Sequence, residues 1–190
     1  EIQQTFYKPP KVETATRWRG SAPAGFVFTL KAWQLITHEP ASPTYERAGV
    51  TIRKQDYGLF GSFRPTQEVR HAWQRTLEIA QELHAPVVVF QCPPSFTPSY
   101  PHRANMRAFF RDAPREGLRF AWEPRGAGWT DELVKQLCEE LYLIHCVDPF
   151  VRLPVHGAPG YFRLHGGPDY GHVYTDEELA QVAAWCRQYR

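Results

Sequence analysis

Five apolar runs along the chain end in a residue that can hydrogen-bond or titrate: Lys31, Gln91, Glu123, Asp148 and His165. One polar residue after a strand means nothing, since every strand must end. Five in five, with charges of both signs, is a pattern. Side-chain alternation sharpens it: Gln91 shares a face with Val87 and Val89, Glu123 with Ala121, and His165 with Arg163. A carboxylate, an amine, an imidazole and a guanidinium gathered in one place are the parts of acid–base chemistry on an anionic substrate. Glu123 or His165 would move protons, while Lys31 and Arg163 bind or stabilise negative charge. The competing reading of the same residues is an ion-pair network that closes the space without reacting. Arg125 should leave the chain on the same side as Glu123. Burial raises a carboxylate's pKa and neighbouring cations lower it. With Lys31, Arg125 and Arg163 to compensate, Glu123 is expected to be ionised at neutral pH, and Glu123→Gln to abolish function at little cost in stability.

Other residues carry weaker signals. His38 follows the Lys31 run within Ile36-Thr37-His38-Glu39; a lone loop histidine is more often a surface residue than a ligand, and here it is a candidate binding residue. A metal reading could recruit Glu1, His38, Glu123, Asp148 and His165, but no spacing motif such as H-E-x-x-H supports it. No tightly held transition metal is expected. His145 reads as a buried, hydrogen-bonded histidine. Arg125-Gly126-Ala127-Gly128-Trp129 lacks the G-x-G-x-x-G pattern, and His165-Gly166-Gly167-Pro168 reads first as a turn, second as a backbone approach to phosphate. Trp18, Trp33, Trp122, Trp129 and the segment Tyr170 to Tyr174 could stack bases or sugars, with Trp122 more readily explained by packing.

These residues must be held by something, and the order of apolar patterns says what. Val27 to Leu30 leads to Lys31. Residues 68–84 read as a helix, with Val69, Ala72, Trp73, Leu77, Ala80 and Leu83 at helical spacing. A strand at 87–91, a short helix at 103–110 and a strand at 118–123 follow. Thr130 is a helix N-cap, with Asp131 and Glu132 in the first turn; that helix runs to about residue 140 and feeds a strand at 141–148. Residues 161–165 form the last strand, and Thr175 with Glu178 makes a capping box. Strand–helix alternation of this kind predicts a parallel sheet wrapped by helices. Counting the strand-like stretch at 1–7, six strands are present. A closed barrel has eight, so a strand–helix unit before Glu1 and a strand after Arg190 are expected to be missing from a single domain truncated at both ends. Residues 32–67 are too long for an ordinary connection, and Tyr45, Tyr57, Phe60 and Phe63 within them argue for packing over the site.

The composition, 43 % hydrophobic and 14 % aromatic over 190 residues, is that of a packed globular protein. A net charge of +2 sets up no global field for a polyanion. Of the 22 basic residues 17 are arginine, scattered rather than clustered, so compositional bias explains them before phosphate binding does. Cys92, Cys138, Cys146 and Cys186 show no metal-ligand spacing and read as free thiols, Cys138, Cys146 and Cys186 as buried ones, in a reducing cytoplasm. No apolar run approaches the ~20 residues of a membrane span, and no signal peptide is read. Nothing names a cofactor or sets an oligomeric state.

Five stretches taken together are similar to the YecE-like family, the domain of unknown function 72. They are Glu1 to Tyr7; Phe26 to Lys31 with Ile36-Thr37-His38; Phe90-Gln91-Cys92-Pro93-Pro94-Ser95-Phe96; Trp122-Glu123-Pro124-Arg125 with Trp129; and Tyr161 to Gly166 with Tyr174. The resemblance implies a TIM-like (β/α) barrel and no settled activity. Cys92 stands where an aliphatic residue is usual and Pro124 where an aromatic is usual, while the family's glycine-rich first strand and Asn-bearing final strand have no counterpart. A barrel enzyme is therefore expected, with Glu123, His165 and Lys31 catalytic and Gln91, Arg125, Arg163, Tyr174 and His38 binding substrate. That substrate would be a small anionic or phosphorylated molecule, a sugar or nucleotide derivative. The alternatives are a non-catalytic binder of nucleic acid or phosphate and a metal-dependent phosphodiesterase like the barrel-type DNA-repair endonucleases.

Overall fold

The computed structural model describes residues 1–167 and 171–189. Its centre is a five-stranded sheet in the order β1 (Thr29–Lys31), β2 (Val87–Gln91), β3 (Arg119–Glu123), β4 (Leu143–Val147) and β5 (Tyr161–Phe162), with every neighbouring pair parallel. Helices fill the crossovers: α5 (Gln67–Glu82), α6 (Tyr100–Asp112) and α7 (Asp131–Leu141), with α8 (Asp176–Gln188) after β5. Before β1 come α1 (Gln4–Tyr7) and α2 (Val12–Ser21).

Alternation sorts the strand residues into two cores. Val88, Phe90, Phe120, Trp122 and Leu143 face the helices, where Val69, Ala72, Trp73, Leu77 and Ala80 of α5 and Val134, Leu137 and Cys138 of α7 meet them. Val87, Val89, Ala121, Ile144 and Cys146 form a smaller cluster on the other face, with Tyr161 packed against it. That second face is concave. β1 and β5 are the two edges of the sheet, and flat pairing would hold them roughly 19 Å apart, yet Thr29 Oγ1 and Tyr161 OH are 2.8 Å apart. The sheet curls as half of a barrel does.

The helix ends follow their caps. The Thr66, Ser99 and Thr130 hydroxyls accept from Val69, His102 and Leu133 N–H, and Thr175 with Glu178 completes the capping box. α6 begins three residues before the predicted start because Pro101, at its second position, needs no N–H partner there.

Three expectations change. The stretch at 1–7 is not a sixth strand: Ile2 makes one parallel bridge to Leu30, and the Thr5 hydroxyl, donating to the Ile2 and Lys31 carbonyls, turns the chain into α1. The last strand is shorter than predicted, because the His165 N–H goes to the Asp148 carboxylate instead of continuing the ladder. Cys186 is exposed, unlike Cys92, Cys138 and Cys146, since α8 buries none of its residues.

Residues 32–67 contain α3 (Gln34–Thr37), α4 (Pro43–Arg47) and a 3-10 turn at Lys54–Leu59. Two of the four aromatics are anchors. Tyr45 is buried and donates to the His38 carbonyl (2.9 Å), and Phe63 is fully buried among Phe90, Phe96, Phe109 and Phe110. Gly61 makes the closing turn possible: its φ is +74°, and a Cβ there would sit 2.4 Å from the His38 carbonyl oxygen. Trp122 meets Trp129 edge-on and donates to the Cys92 sulfur, as packing predicts. Among the described residues no helix is long and apolar enough to cross a membrane.

Candidate functional site

The concave face carries the strand-terminal residues to one place. Lys31 continues the row of Thr29, Gln91 that of Val87 and Val89, and Glu123 that of Ala121, so their side chains all emerge at the C-terminal ends of the strands. Arg163 and His165, just past β5, join them, and Arg163 is the hub. Its Nη1 donates to Glu123 Oε2 (2.5 Å) and Gln91 Oε1 (3.2 Å), while Nε and Nη2 form a fork on the Glu1 carboxylate (2.9 and 3.0 Å). Arg125 takes the other Glu123 oxygen, with Nε at 2.7 Å and Nη2 at 2.6 Å. A carboxylate with its side chain only 5 % exposed is thus held between two guanidiniums, the charge-assisted geometry that such burial demands.

His165 is held from both sides. Its Nδ1 lies 3.2 Å from Asp148 Oδ2, which also accepts the His165 backbone N–H at 3.0 Å. Its Nε2 lies 2.7 Å from Arg125 Nη2, 3.3 Å from Arg163 Nη1 and 3.4 Å from Glu123 Oε1. A guanidinium can only donate, and its approach is the closest, so Nε2 presents its lone pair and Nδ1–H donates to Asp148. The tautomer is assigned from these partners. An imidazole oriented by a carboxylate, with its other nitrogen unprotonated, has the arrangement of a general base once its Arg125 partner is drawn away.

Burial pushes the Glu123 carboxyl up, but the charges of Arg163 and Arg125 and the bonds those guanidiniums donate outweigh it and hold the group at about 2. This is the ionised state expected from its neighbours. Lys31 is lowered to about 8 by burial and by the Arg163 charge, against the pull of Glu1 and Glu123. Its Nζ donates to Gln3 Oε1 (3.1 Å) and lies 4.7 Å from the centre of the Phe6 ring.

Two candidates lie apart from the network. His38 is not the surface residue that loop histidines usually are: it is buried against the edge of Phe6, with Nδ1 2.8 Å from Thr37 Oγ1. Burial, and then the charges of Lys31 and Arg125, lower it to about 3. Tyr174 touches none of the cluster; its hydroxyl accepts from Gly166 N–H (2.9 Å) and its ring stacks on Phe150, which steadies the turn after His165. Of that turn, Pro168 lies outside the described residues, as does Tyr170 of the aromatic segment. His145 is buried as expected, but among the described residues only Nδ1 of its ring has a hydrogen-bond partner, the Val155 N–H.

Asp148 and Glu1 complete the cluster; from the sequence Asp148 is a strand-end residue and both are conceivable metal ligands, but neither is expected to be catalytic or to bind substrate. Asp148 was legible, since it ends an apolar run and shares its face with Cys146 and Ile144. Glu1 is placed by the single Ile2 bridge, which leaves no periodic trace. A cleft of about 410 Å³ opens beside the network, lined by Glu123, Arg125, Asp148, His165, His145 and Arg152 among others. Lys31, Gln91 and Arg163 do not line it, so the Arg163 pairs divide the mouth into an open and a closed side. Among the described residues no three of His, Cys, Asp and Glu gather so as to hold a metal ion; guanidiniums stand between the carboxylates.

A family model described as "Protein of unknown function DUF72" matches residues 1–190. No curated protein matches the chain. Among solved structures it is similar to a DUF72 family protein from Enterococcus faecalis V583, with a TM-score of 0.66, 17 % identity, and coverage of 99 % of this chain and 74 % of that one. At that identity the likeness is one of fold.

Proposed function

We propose, from the premise that the chain belongs to the DUF72 family of proteins of unknown function, that it is an enzyme of the TIM-like barrel kind. It would move protons on a small anionic or phosphorylated substrate, a sugar or nucleotide derivative, at the strand-end mouth. The observation that carries this reading is the Asp148–His165 pair, whose Nε2 lone pair is held by Arg125 at the edge of the cleft.

In the resting state Arg125 occupies the His165 lone pair. An anionic group entering the cleft draws that guanidinium onto itself and frees Nε2. His165 then takes a proton from the substrate, and the Glu123 carboxylate 3.4 Å away stabilises the imidazolium; returning the proton to a neighbouring atom completes an isomerisation. Glu123, held at about 2, is too weak a base for the transfer itself. Its role is electrostatic. Arg163 and Gln91 orient, and four unpaired cysteines fit a reducing cytoplasm.

The test is hydrogen exchange. Phosphorylated aldoses and ketoses incubated with the protein in D₂O should incorporate deuterium next to the carbonyl, as followed by proton NMR, and His165→Gln should stop it. Exchange that is absent for every substrate, or unchanged in the variant, refutes the assignment. One observation favours the non-catalytic binder: both Glu123 oxygens and the arms of Arg163 are already satisfied. Salt-sensitive binding of phosphate or nucleic acid without exchange would select that reading.

A further inference from the structure

We infer that His145 and Arg152 form the wall that holds the substrate's anionic group, a phosphate monoester, with the His145 Nε2–H donating to one of its oxygens. This rests on the reading of the mouth as an active site. Two bonds fix the imidazole: the Val155 N–H donates to Nδ1 (3.2 Å), and the His145 N–H donates to the His156 carbonyl (3.0 Å). A ring nitrogen that accepts a hydrogen bond carries no hydrogen, so in the neutral ring the hydrogen is on Nε2. Burial, and then the Arg152 charge, lower the group to about 4, which keeps the ring neutral at pH 7. His145 is 1 % exposed, and among the described residues its Nε2 has no partner. Buried N–H groups are rarely left so, and turning the ring over would forfeit the Val155 bond. His145 nevertheless lines the same cleft as His165. A donor without an acceptor in the wall of a cavity is suited to an oxygen that a ligand brings.

The other lining groups say which oxygen. Arg125 and Arg152 are the cations of the cleft. Its two carboxylates are already answered, Glu123 by Arg163 and Asp148 by the Phe150 and His165 N–H groups. Arg152 pairs with Asp131, whose side chain is 66 % exposed; a pair so open to water is weak, and Arg152 is free to turn to a ligand. Nε2 has no exposed surface while the cleft is empty, so an incoming oxygen must shift a neighbour to reach it. Arg152, whose charge is felt at His145, is the neighbour tied least firmly. Two guanidiniums and one neutral N–H match the three terminal oxygens of a phosphate monoester, which guanidiniums grip in forked pairs. The same wall gives Arg125 a destination. An anion held by His145 and Arg152 draws Arg125 off His165, the step that uncovers the base.

Inorganic phosphate is the probe and the imidazole the reporter. In long-range ¹H–¹⁵N spectra of the unaltered protein, His145 should show a bare Nδ1 and a protonated Nε2, and phosphate should move the Nε2–H signal downfield. His145→Asn keeps an acceptor for the Val155 N–H and removes the Nε2 donor. It singles out the signal among the eight histidines, and it should weaken phosphate binding, followed by calorimetry, at least about tenfold. Arg152→Gln, at a side chain 33 % exposed, should weaken binding to a similar degree and carries the test with the wild-type shift if His145→Asn does not fold. A ring signal that phosphate leaves in place, or variants that bind phosphate as wild type does, overturns the inference. If Arg125→Gln still abolishes that binding, the anion site at the mouth stands and only the His145 wall falls. Phosphate that does not bind at all also overturns the inference; the mouth then survives if substrates exchange their C–H in D₂O, and falls with it if none does.

Discussion

Replacing Glu123 by glutamine removes one charge from a side chain enclosed by two guanidiniums, and glutamine is close in shape to the protonated acid. The energetic difference between the ionised and protonated forms in the fold is therefore a fair measure of the substitution. A carboxyl shifted from 4.5 to about 2 contributes on the order of 3 kcal/mol at neutral pH, in line with the roughly 3–5 kcal/mol lost when one partner of a buried ion pair is removed. For a chain of this size that is a fall in Tm of about 6–12 °C. The sequence alone led us to expect little cost; near-complete burial and two cationic partners change that. The pH dependence has a definite sign. Because the folded-state pKa is depressed, the contribution is fully present above about 4.5 and is lost as pH falls toward 2, so wild type and Glu123→Gln should converge there. Calorimetric unfolding of both proteins at pH 7 and at pH 3 checks this. A gap below about 1 kcal/mol at pH 7, or one of equal size at both pH values, refutes the reasoning.

Asp148→Asn leaves one acceptor oxygen where Asp148 supplies two, serving the Phe150 N–H, the His165 N–H and the His165 ring. His165 should lose its preference for the proton on Nδ1, read from imidazole ¹⁵N shifts; an unchanged spectrum means that Asp148 does not orient the ring. Gly61→Ala places a Cβ against the His38 carbonyl at positive φ and should cost more than about 1 kcal/mol in urea unfolding. Phe63→Ala empties the centre of an aromatic cluster and should cost about 3–5 kcal/mol, with protease cleavage within 32–67 appearing before the sheet unfolds.

That Gln91, Glu123, Arg163 and His165 meet was legible because strand alternation has a period of two and needs no knowledge of partners, whereas Lys31 bonds to Gln3 and, with Gln91 and Arg163, lies off the cleft. The same rule places Asp148 inside, but not its pairing with His165, which depends on how the 148–160 segment returns the chain to β5. Short elements escape for a different reason. A single bridge at Ile2, a two-residue strand at β5 and helices of four or five residues within 32–67 are too brief to carry a hydrophobic period, and are set by side chains such as Thr5, Tyr45 and Phe63. His38 looked like a loop histidine because the burial around it comes from Phe6 and Tyr45, which are distant in sequence or invisible to local pattern.

The mouth holds Lys31, Arg125 and Arg163 against Glu1, Glu123 and Asp148, so an incoming anion meets no net positive charge and must compete for a cation already engaged. The two arginines differ in how open they are to that competition. Arg163 has its side chain 12 % exposed and divided among Glu1, Gln91 and Glu123. Arg125 is 30 % exposed, borders the cleft, and shares its bonds between one Glu123 oxygen and the His165 lone pair. Withdrawing Arg163 would take the fork from Glu1 and one of two guanidiniums from the buried Glu123, whereas withdrawing Arg125 leaves Glu123 still bound by Arg163 and uncovers the His165 Nε2 lone pair. Arg125 is thus the residue through which an anion can enter at least cost, and its departure from His165 ties binding of the substrate to exposure of the base.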